Sequence, residues 1–300
     1  MPPTGAHIVG GHLGQTATGG GSSYETHSLR DQVVLVTGAS SGIGEATALR
    51  FAEEGCKLII CARRTDRLNE LKKKLVEQYE VPVHTATLDV TDSAKLDEFC
   101  SQLPPEFKEV DILVNNAGLA LGTAPVQENS VEDAMTMINT NCTSVVLVTR
   151  HFAPGMVERN RGHIINISSI AGHYGYPGGS IYCGTKHFVR AFTDAARHDL
   201  VGTDVRVTAI SPGAVQTEFS NIRFKGDGAK ADAVYDGMIP LTAQDVADSV
   251  LYAATRPAHV QIGDIILYAS YQASSFSVAR PLKDKQFSSL DQLAKQTSQK

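Results

Sequence analysis

The chain has 300 residues, of which 42% are hydrophobic and 20% charged, with a formal net charge of -5. These values fit a soluble globular protein with a sizeable core, built as one large domain or two small ones. They exclude charge-driven nucleic-acid binding, and no apolar run approaches the roughly 18 residues of a membrane span, so neither partner is expected. Five cysteines stand at 56, 61, 100, 142 and 183, with neither C-x-x-C nor metal-ligand spacing. Such a scattered, odd set suits a reducing compartment, which makes the cytoplasm the expected location and a metal site unexpected.

Residues 1–28 contain no Lys or Arg and lack the features of a presequence or signal peptide. With the Gly/Ser/Thr-rich stretch Thr16–Ser23, they read as a flexible tail. Val33–Val36 is a β-branched run typical of a strand buried on both faces. A helix follows over Gly44–Glu54, with Ala48, Phe51 and Ala52 on one side and Gly55 as its stop. Strand Leu58–Cys61 precedes a charged helix, Arg67–Tyr79, whose Lys72–Lys74 run reads as a solvated face. Strand Val83–Leu88, helix Asp92–Leu103 and strand Asp111–Val114 come next. Then come helix Val131–Val157, strand His163–Ile167, helix Ile181–Leu200, strand Val205–Ile210, helix Ala243–Ala254 and strand Asp264–Tyr268. This alternation predicts an α/β fold, a Rossmann-like doubly wound parallel sheet with helices on both faces. A single domain over 29–282 is expected, followed by a C-terminal extension, 283–300, carrying a short surface helix at Leu290–Gln296 or nothing fixed.

Between the first strand and helix the chain reads T-G-A-S-S-G-I-G, Thr37 to Gly44. Gly38 permits the tight turn, Gly42 lets backbone approach a phosphate, and Gly44 lets the helix pack near the sheet. The helix N-terminus supplies free N–H groups and partial positive charge for a pyrophosphate. Gly38, Ser40, Ser41, Gly42, Ile43 and Gly44 are thus candidate cofactor contacts. The second strand ends in Cys61-Ala62-Arg63-Arg64 with no acid at its tip. A carboxylate there would favour NAD, whereas Arg63 and Arg64 suit the extra 2′-phosphate of NADP. Asp89 and Val90 follow the third strand, where an adenine should lie. Asn116 and its neighbours in N-N-A-G follow the fourth, and Asn115 is the amide better suited to tying strands together.

Tyr182 and Lys186 share a helix face at i and i+4. A phenol titrates near 10, and lowering it by about two units requires about 2.7 kcal/mol. An ammonium about 5 Å away supplies about 3 kcal/mol at an effective dielectric near 20. Tyr182 is therefore a candidate general acid/base activated by Lys186. Of the serines that end the preceding strand, Ser168 and Ser169, alternation turns only one toward the site, where it can stabilise charge on a substrate oxygen.

Taken in order, T-G-x-x-x-G-I-G, N-N-A-G, the serine, Y-x-x-x-K and Pro212-Gly213 resemble the short-chain dehydrogenase/reductase family from about Gln32 to Ala279. The resemblance implies a catalytic serine thirteen positions before the tyrosine, which selects Ser169. It implies that Asn141 holds a water against Lys186 as a proton relay, and that Lys186 also binds ribose. It places Pro212, Gly213, Val215 and Thr217 at the nicotinamide end, and it implies a homotetramer. Leu113–Gly122 and Thr217–Asp227 further resemble the NADP-dependent 3-hydroxy acid dehydrogenases, which act on serine, allo-threonine and 3-hydroxypropionate. Arg223, or Lys225 as the alternative, then becomes the candidate contact for a substrate carboxylate. The expected activity is NADP-dependent hydride transfer between cofactor and a small 3-hydroxy acid or its 3-oxo partner. An NADPH-dependent reductase of 3-ketoacyl, steroid or xenobiotic ketones is the second reading. A non-catalytic NADP-binding sensor or scaffold is the third, and an altered acid/base set would favour it.

Overall fold

The computed structural model describes residues 26–282. The expected tail up to residue 25 and the helix at Leu290–Gln296 lie outside the described residues. The strands are β1 (Val33–Thr37), β2 (Lys57–Ala62), β3 (Val83–Thr87), β4 (Ile112–Asn115), β5 (Gly162–Ile167), β6 (Val205–Pro212) and β7 (Asp264–Leu267). They form one 7-stranded sheet in the order β3-β2-β1-β4-β5-β6-β7, parallel throughout.

The helices are α1 (Gly42–Glu53), α2 (Thr65–Tyr79), α3 (Ser93–Ser101), α4 (Val131–Ile138), α5 (Ser144–Glu158), α6 (Ser180–Asp199), α7 (Phe219–Arg223), α8 (Gly228–Ala233) and α9 (Ala243–Ala254). Two cores sandwich the sheet because side chains alternate along each strand. Val34 and Val36 of β1 join Phe51 of α1, Leu68 of α2 and Val250 of α9. Val33 and Leu35 face the other way, toward Leu96 of α3 and Phe152 of α5. Phe51 is wholly buried, so its truncation to Ala would cost about 3–5 kcal/mol.

Two departures from the sequence pattern shape the site. The helix expected over Val131–Val157 is interrupted by a π turn at Asn139–Thr143, where Ser144 N–H reaches back to Asn139 O. The extra residue re-aims the side chains there without ending the helix. The segment after β6 contains α7 and α8, short helices that the hydrophobic pattern did not reveal. Strand order reverses between β1 and β4, and the crevice beyond their carboxyl ends is where such sheets take ligands.

Candidate active site

A cleft of ≈ 470 Å³ opens at that crevice. Its floor is tied together by Thr37 and Asn116. Thr37 Oγ1 accepts from the N–H groups of Asn116 and Ala117, both at 3.0 Å, while Asn116 Nδ2 donates to Thr37 O at 2.9 Å and Gly38 O at 3.2 Å. Gly38 and Gly42 adopt φ of +65° and +57°, a region that side chains resist. A Cβ at Gly44 would collide with Asn116 Nδ2 and lie 2.5 Å from Gly38 O, so this glycine allows α1 to seat against the crevice. The N-cap of α1, Ser41, makes no side-chain cap bond. The first N–H groups of α1 are thus left without that cap, beside the cleft that Ser41, Gly42 and Ile43 line, the arrangement that suits a phosphate.

At the tip of β2, Arg64 is held by the loop itself. Its Nε donates to Ser40 Oγ at 3.2 Å and its Nη2 to Ser41 Oγ at 2.6 Å. Its Nη1 meets Glu218 at 2.8 Å. That bond holds the Glu218 carboxyl below its ordinary range, against burial, which would raise it. Arg63 is more exposed and lies 4.0 Å from Asp89. Burial would raise the Asp89 carboxyl, but the N–H and hydroxyl of Thr91, and then Arg63, bring it below the usual range. The β2 tip therefore presents two guanidiniums and no carboxylate of its own. This donor set and the glycine cradle fit a dinucleotide with an additional phosphate.

At the other end stand Ser169, Tyr182 and Lys186. Ser169 Oγ donates to Pro212 O at 3.3 Å and accepts from Ala171 N–H at 3.1 Å, and its hydroxyl neighbours the Tyr182 phenol, which it pulls down. Ser168 turns its hydroxyl to Lys186 O at 3.2 Å, which leaves Ser169 as the serine on the tyrosine. Lys186 is buried, donates to Ile167 O at 2.9 Å, and lies 5.8 Å from the centre of the Tyr182 ring. Burial pushes the lysine down to about 8.

The expected depression of the Tyr182 phenol is not found: burial raises it, and the opposing pulls come from the Ser169 hydroxyl and Arg223 rather than from Lys186. The physical reason is desolvation, to which the neighbouring Tyr176 adds.

Arg223 closes the cleft above Tyr182. Its Nη1 donates to Tyr176 Oη at 3.0 Å, its Nε donates to Gly122 O at 3.3 Å, and its Cζ lies 5.8 Å from the centre of the Tyr182 ring. Lys225 instead pairs with Asp133 at 2.7 Å and does not line the cleft. Of the two, Arg223 is the cation that lines the cleft beside Tyr182.

Most residues expected from the sequence share this cleft: Gly38, Ser40, Ser41, Gly42, Ile43, Arg63, Arg64, Asp89, Val90, Asn116, Ser169, Tyr182, Lys186, Pro212, Gly213, Val215, Thr217 and Arg223 all line it. Gly44 and Asn141 stand behind its wall. Asn141 sits in the π turn, where its amide donates to Leu119 O and Thr185 Oγ1 and accepts from Leu119 N–H. Its side chain is thus spent on positioning. It and Lys186 Nζ flank Gly118, where a Cβ would lie 3.3 Å from the Asn141 oxygen and 3.5 Å from the ammonium. Asn115 ties β4 to Asn166 of β5 and to Thr149 of α5, the structural role its spacing suggested.

Sequence reasoning missed Tyr176, Glu218, Phe219 and Gln272, which also line the cleft. Gln272 accepts from Ala214 N–H at 2.9 Å and braces the Pro212-Gly213 turn. Only Tyr176 had a readable signal, an aromatic set among glycines. Its ring lies where a Cβ of Gly179 would be.

The short chain dehydrogenase family model matches residues 32–227. The NADP-dependent 3-hydroxy acid dehydrogenase YdfG of Escherichia coli strain K12 is 51% identical over 234 residues, 78% of this chain and 93% of that protein. The NADP-dependent 3-hydroxy acid dehydrogenase of Schizosaccharomyces pombe is 44% identical over 253 residues, 84% and 98% of the respective chains. Among solved structures, the closed form of serine dehydrogenase complexed with NADP+ superposes with a TM-score of 0.78 at 48% identity, covering 81% of this chain and 97% of that one.

Proposed function

We propose that this chain, which belongs to the short-chain dehydrogenase family, is an NADP-dependent oxidoreductase that interconverts a small 3-hydroxy acid and its 3-oxo partner. The observation that carries this reading is the placement of Arg223 over the Tyr182 ring, with Ser169 on the same phenol. A hydroxyl pair for the reacting oxygen and a guanidinium for a carboxylate then share one pocket. The relatives named above, acting on 3-hydroxy acids with NADP, support the same substrate class.

NADP would be held by the Gly38–Gly44 loop and the N-terminus of α1, with Arg63 and Arg64 at its 2′-phosphate. When bound, it supplies or accepts the hydride. The chain's own residues manage the proton. Ser169 holds the substrate oxygen against Tyr182, and Tyr182 donates its phenolic proton as charge grows on that oxygen. In the reverse direction the phenol must act as a base, which its burial opposes, so added positive charge beside it is required. Lys186 and the Asn141 turn hold the backbone of β5 and of residues 118–119 around that phenol.

Initial rates with serine, allo-threonine, 3-hydroxypropionate and apolar ketones, each with NADP and NAD, test the reading. NADP-dependent turnover of the acids is expected, and turnover confined to uncharged ketones rejects the acid assignment. Arg223→Ala is expected to raise KM for the acids by about tenfold or more, the effect of losing a charge-assisted contact. An unchanged KM removes that role.

Exposed apolar residues on the helices that carry the site, Val146 of α5 and Phe188 of α6 among them, support a homo-oligomer, with a tetramer as the proposed state. Light scattering on the eluting protein measures it directly. The free cysteines, buried at 56, 61, 142 and 183, support a cytoplasmic setting.

A further inference from the structure

One short segment touches both ends of the cleft. Thr217 packs against the phosphate loop, 3.3 Å from where a Gly42 Cβ would be. Glu218 reaches Arg64 at 2.8 Å and Arg67 at 3.6 Å. Phe219 places its ring 5.7 Å from that of Tyr182. Arg223, at the end of the same helix α7, holds Tyr176 and stands over Tyr182. Every nitrogen of the Arg64 guanidinium is engaged, by Ser40, Ser41 and Glu218. An incoming phosphate therefore has to share Arg64 with Glu218 or displace it.

Carboxylate and phosphate oxygens use a guanidinium in the same way. The two sites are also linked through rigid, contiguous contacts: Glu218 directly precedes α7, so what happens to its carboxylate happens at the root of the helix that bears Phe219 and Arg223. With NADP as the cofactor, the reading on which this inference rests, we propose that Glu218 is a built-in rival of the 2′-phosphate for Arg64. It is a positioning residue that couples occupation of the phosphate site to the placement of α7 over Tyr182. Glu218 pins α7 to the phosphate loop, and a dianion at Arg64 weakens that pin by taking the guanidinium and repelling the carboxylate. By linkage, loosening the pin must tighten binding of the phosphate. The pair is partly exposed, with 44% and 41% of the two side chains accessible, so the effect is modest and sensitive to salt.

Calorimetric titration of the full chain with NADP+ and with NAD+ tests this without turnover. Glu218→Gln is expected to bind NADP+ about two- to fivefold more tightly, the range for an exposed ion pair, with NAD+ affinity unchanged. In an Arg64→Ala background the same substitution should have no effect on NADP+, which isolates the coupling. Amide hydrogen exchange over 217–223, measured without ligand, should quicken in Glu218→Gln as the pin is lost.

Weaker NADP+ binding in Glu218→Gln, an equal shift for NAD+, or unaltered exchange would each overturn the proposal. A wild-type chain that does not prefer NADP+ over NAD+ would instead sink the cofactor reading itself. The exchange measurement would still report whether Glu218 pins α7.

Discussion

At the acid/base end of the cleft, Ser169 and Lys186 are buried and each of their polar groups has a protein partner. At the phosphate end, Arg63 and Arg64 keep 65% and 44% of their side chains accessible and pair with exposed carboxylates. The difference is one of dielectric. Charges in the first region act at nearly full strength and are costly to leave alone, so geometry there is over-determined. Charges in the second are screened and exchangeable, which suits the proposed exchange of internal anions for those of a cofactor.

The sharpest test of this contrast is Tyr182→Phe, which removes one hydroxyl from the cleft. It should lower kcat about 10²–10⁴-fold while leaving NADP+ affinity within about twofold, because the lost contribution is proton delivery. A fall in affinity matching the fall in kcat would mean that the two ends are not separable.

Lys186→Met probes burial by stability. The folded lysine is pushed down to about 8 from an ordinary 10.5, so the folded chain releases its proton before the unfolded chain does. Between pH 8 and 10.5 the unfolded state binds more protons, and stability rises with pH across that window; below it the buried ammonium carries its full penalty. The wild-type chain should therefore gain on Lys186→Met by roughly 2–4 kcal/mol across that range in denaturant midpoints. A flat difference would show a solvated lysine.

Gly44→Ala should cost about 1–3 kcal/mol by thermal melting, since the added methyl must displace Asn116 or the Gly38 carbonyl. The smallest effect belongs to the rim. Arg63→Ala should weaken NADP+ binding by about 1 kcal/mol or less at low salt, with the loss fading as ionic strength rises. A salt-independent loss would place Arg63 in the buried class with Lys186.

How far the sequence reached differs between the same two regions. The phosphate loop, the β2 tip and the Ser169, Tyr182 and Lys186 set were all readable because short-range chemistry specifies them. Glycines are needed where φ is positive, side chains four apart share a helix face, and β-branched runs become buried strands. The choice between Ser168 and Ser169 rested on resemblance and that between Arg223 and Lys225 was open, and in space Ser168 turns to Lys186 O while Lys225 pairs with Asp133 away from the cleft.

The alternation of strand and helix, the nucleotide loop and the candidate proton donor follow from local pattern, and so the sequence by itself determined the fold class and the kind of reaction. Only the tertiary structure showed the Asn141 side chain bonded to Leu119 and Thr185 behind the cleft wall. It alone showed that burial raises the Tyr182 phenol, and that Tyr176, Glu218, Phe219 and Gln272 also line the cleft. Those outcomes depend on desolvation and on contacts between segments as far apart as Arg64 and Glu218, Gly122 and Arg223, or Ala214 and Gln272. Neither quantity is carried by neighbours along the chain.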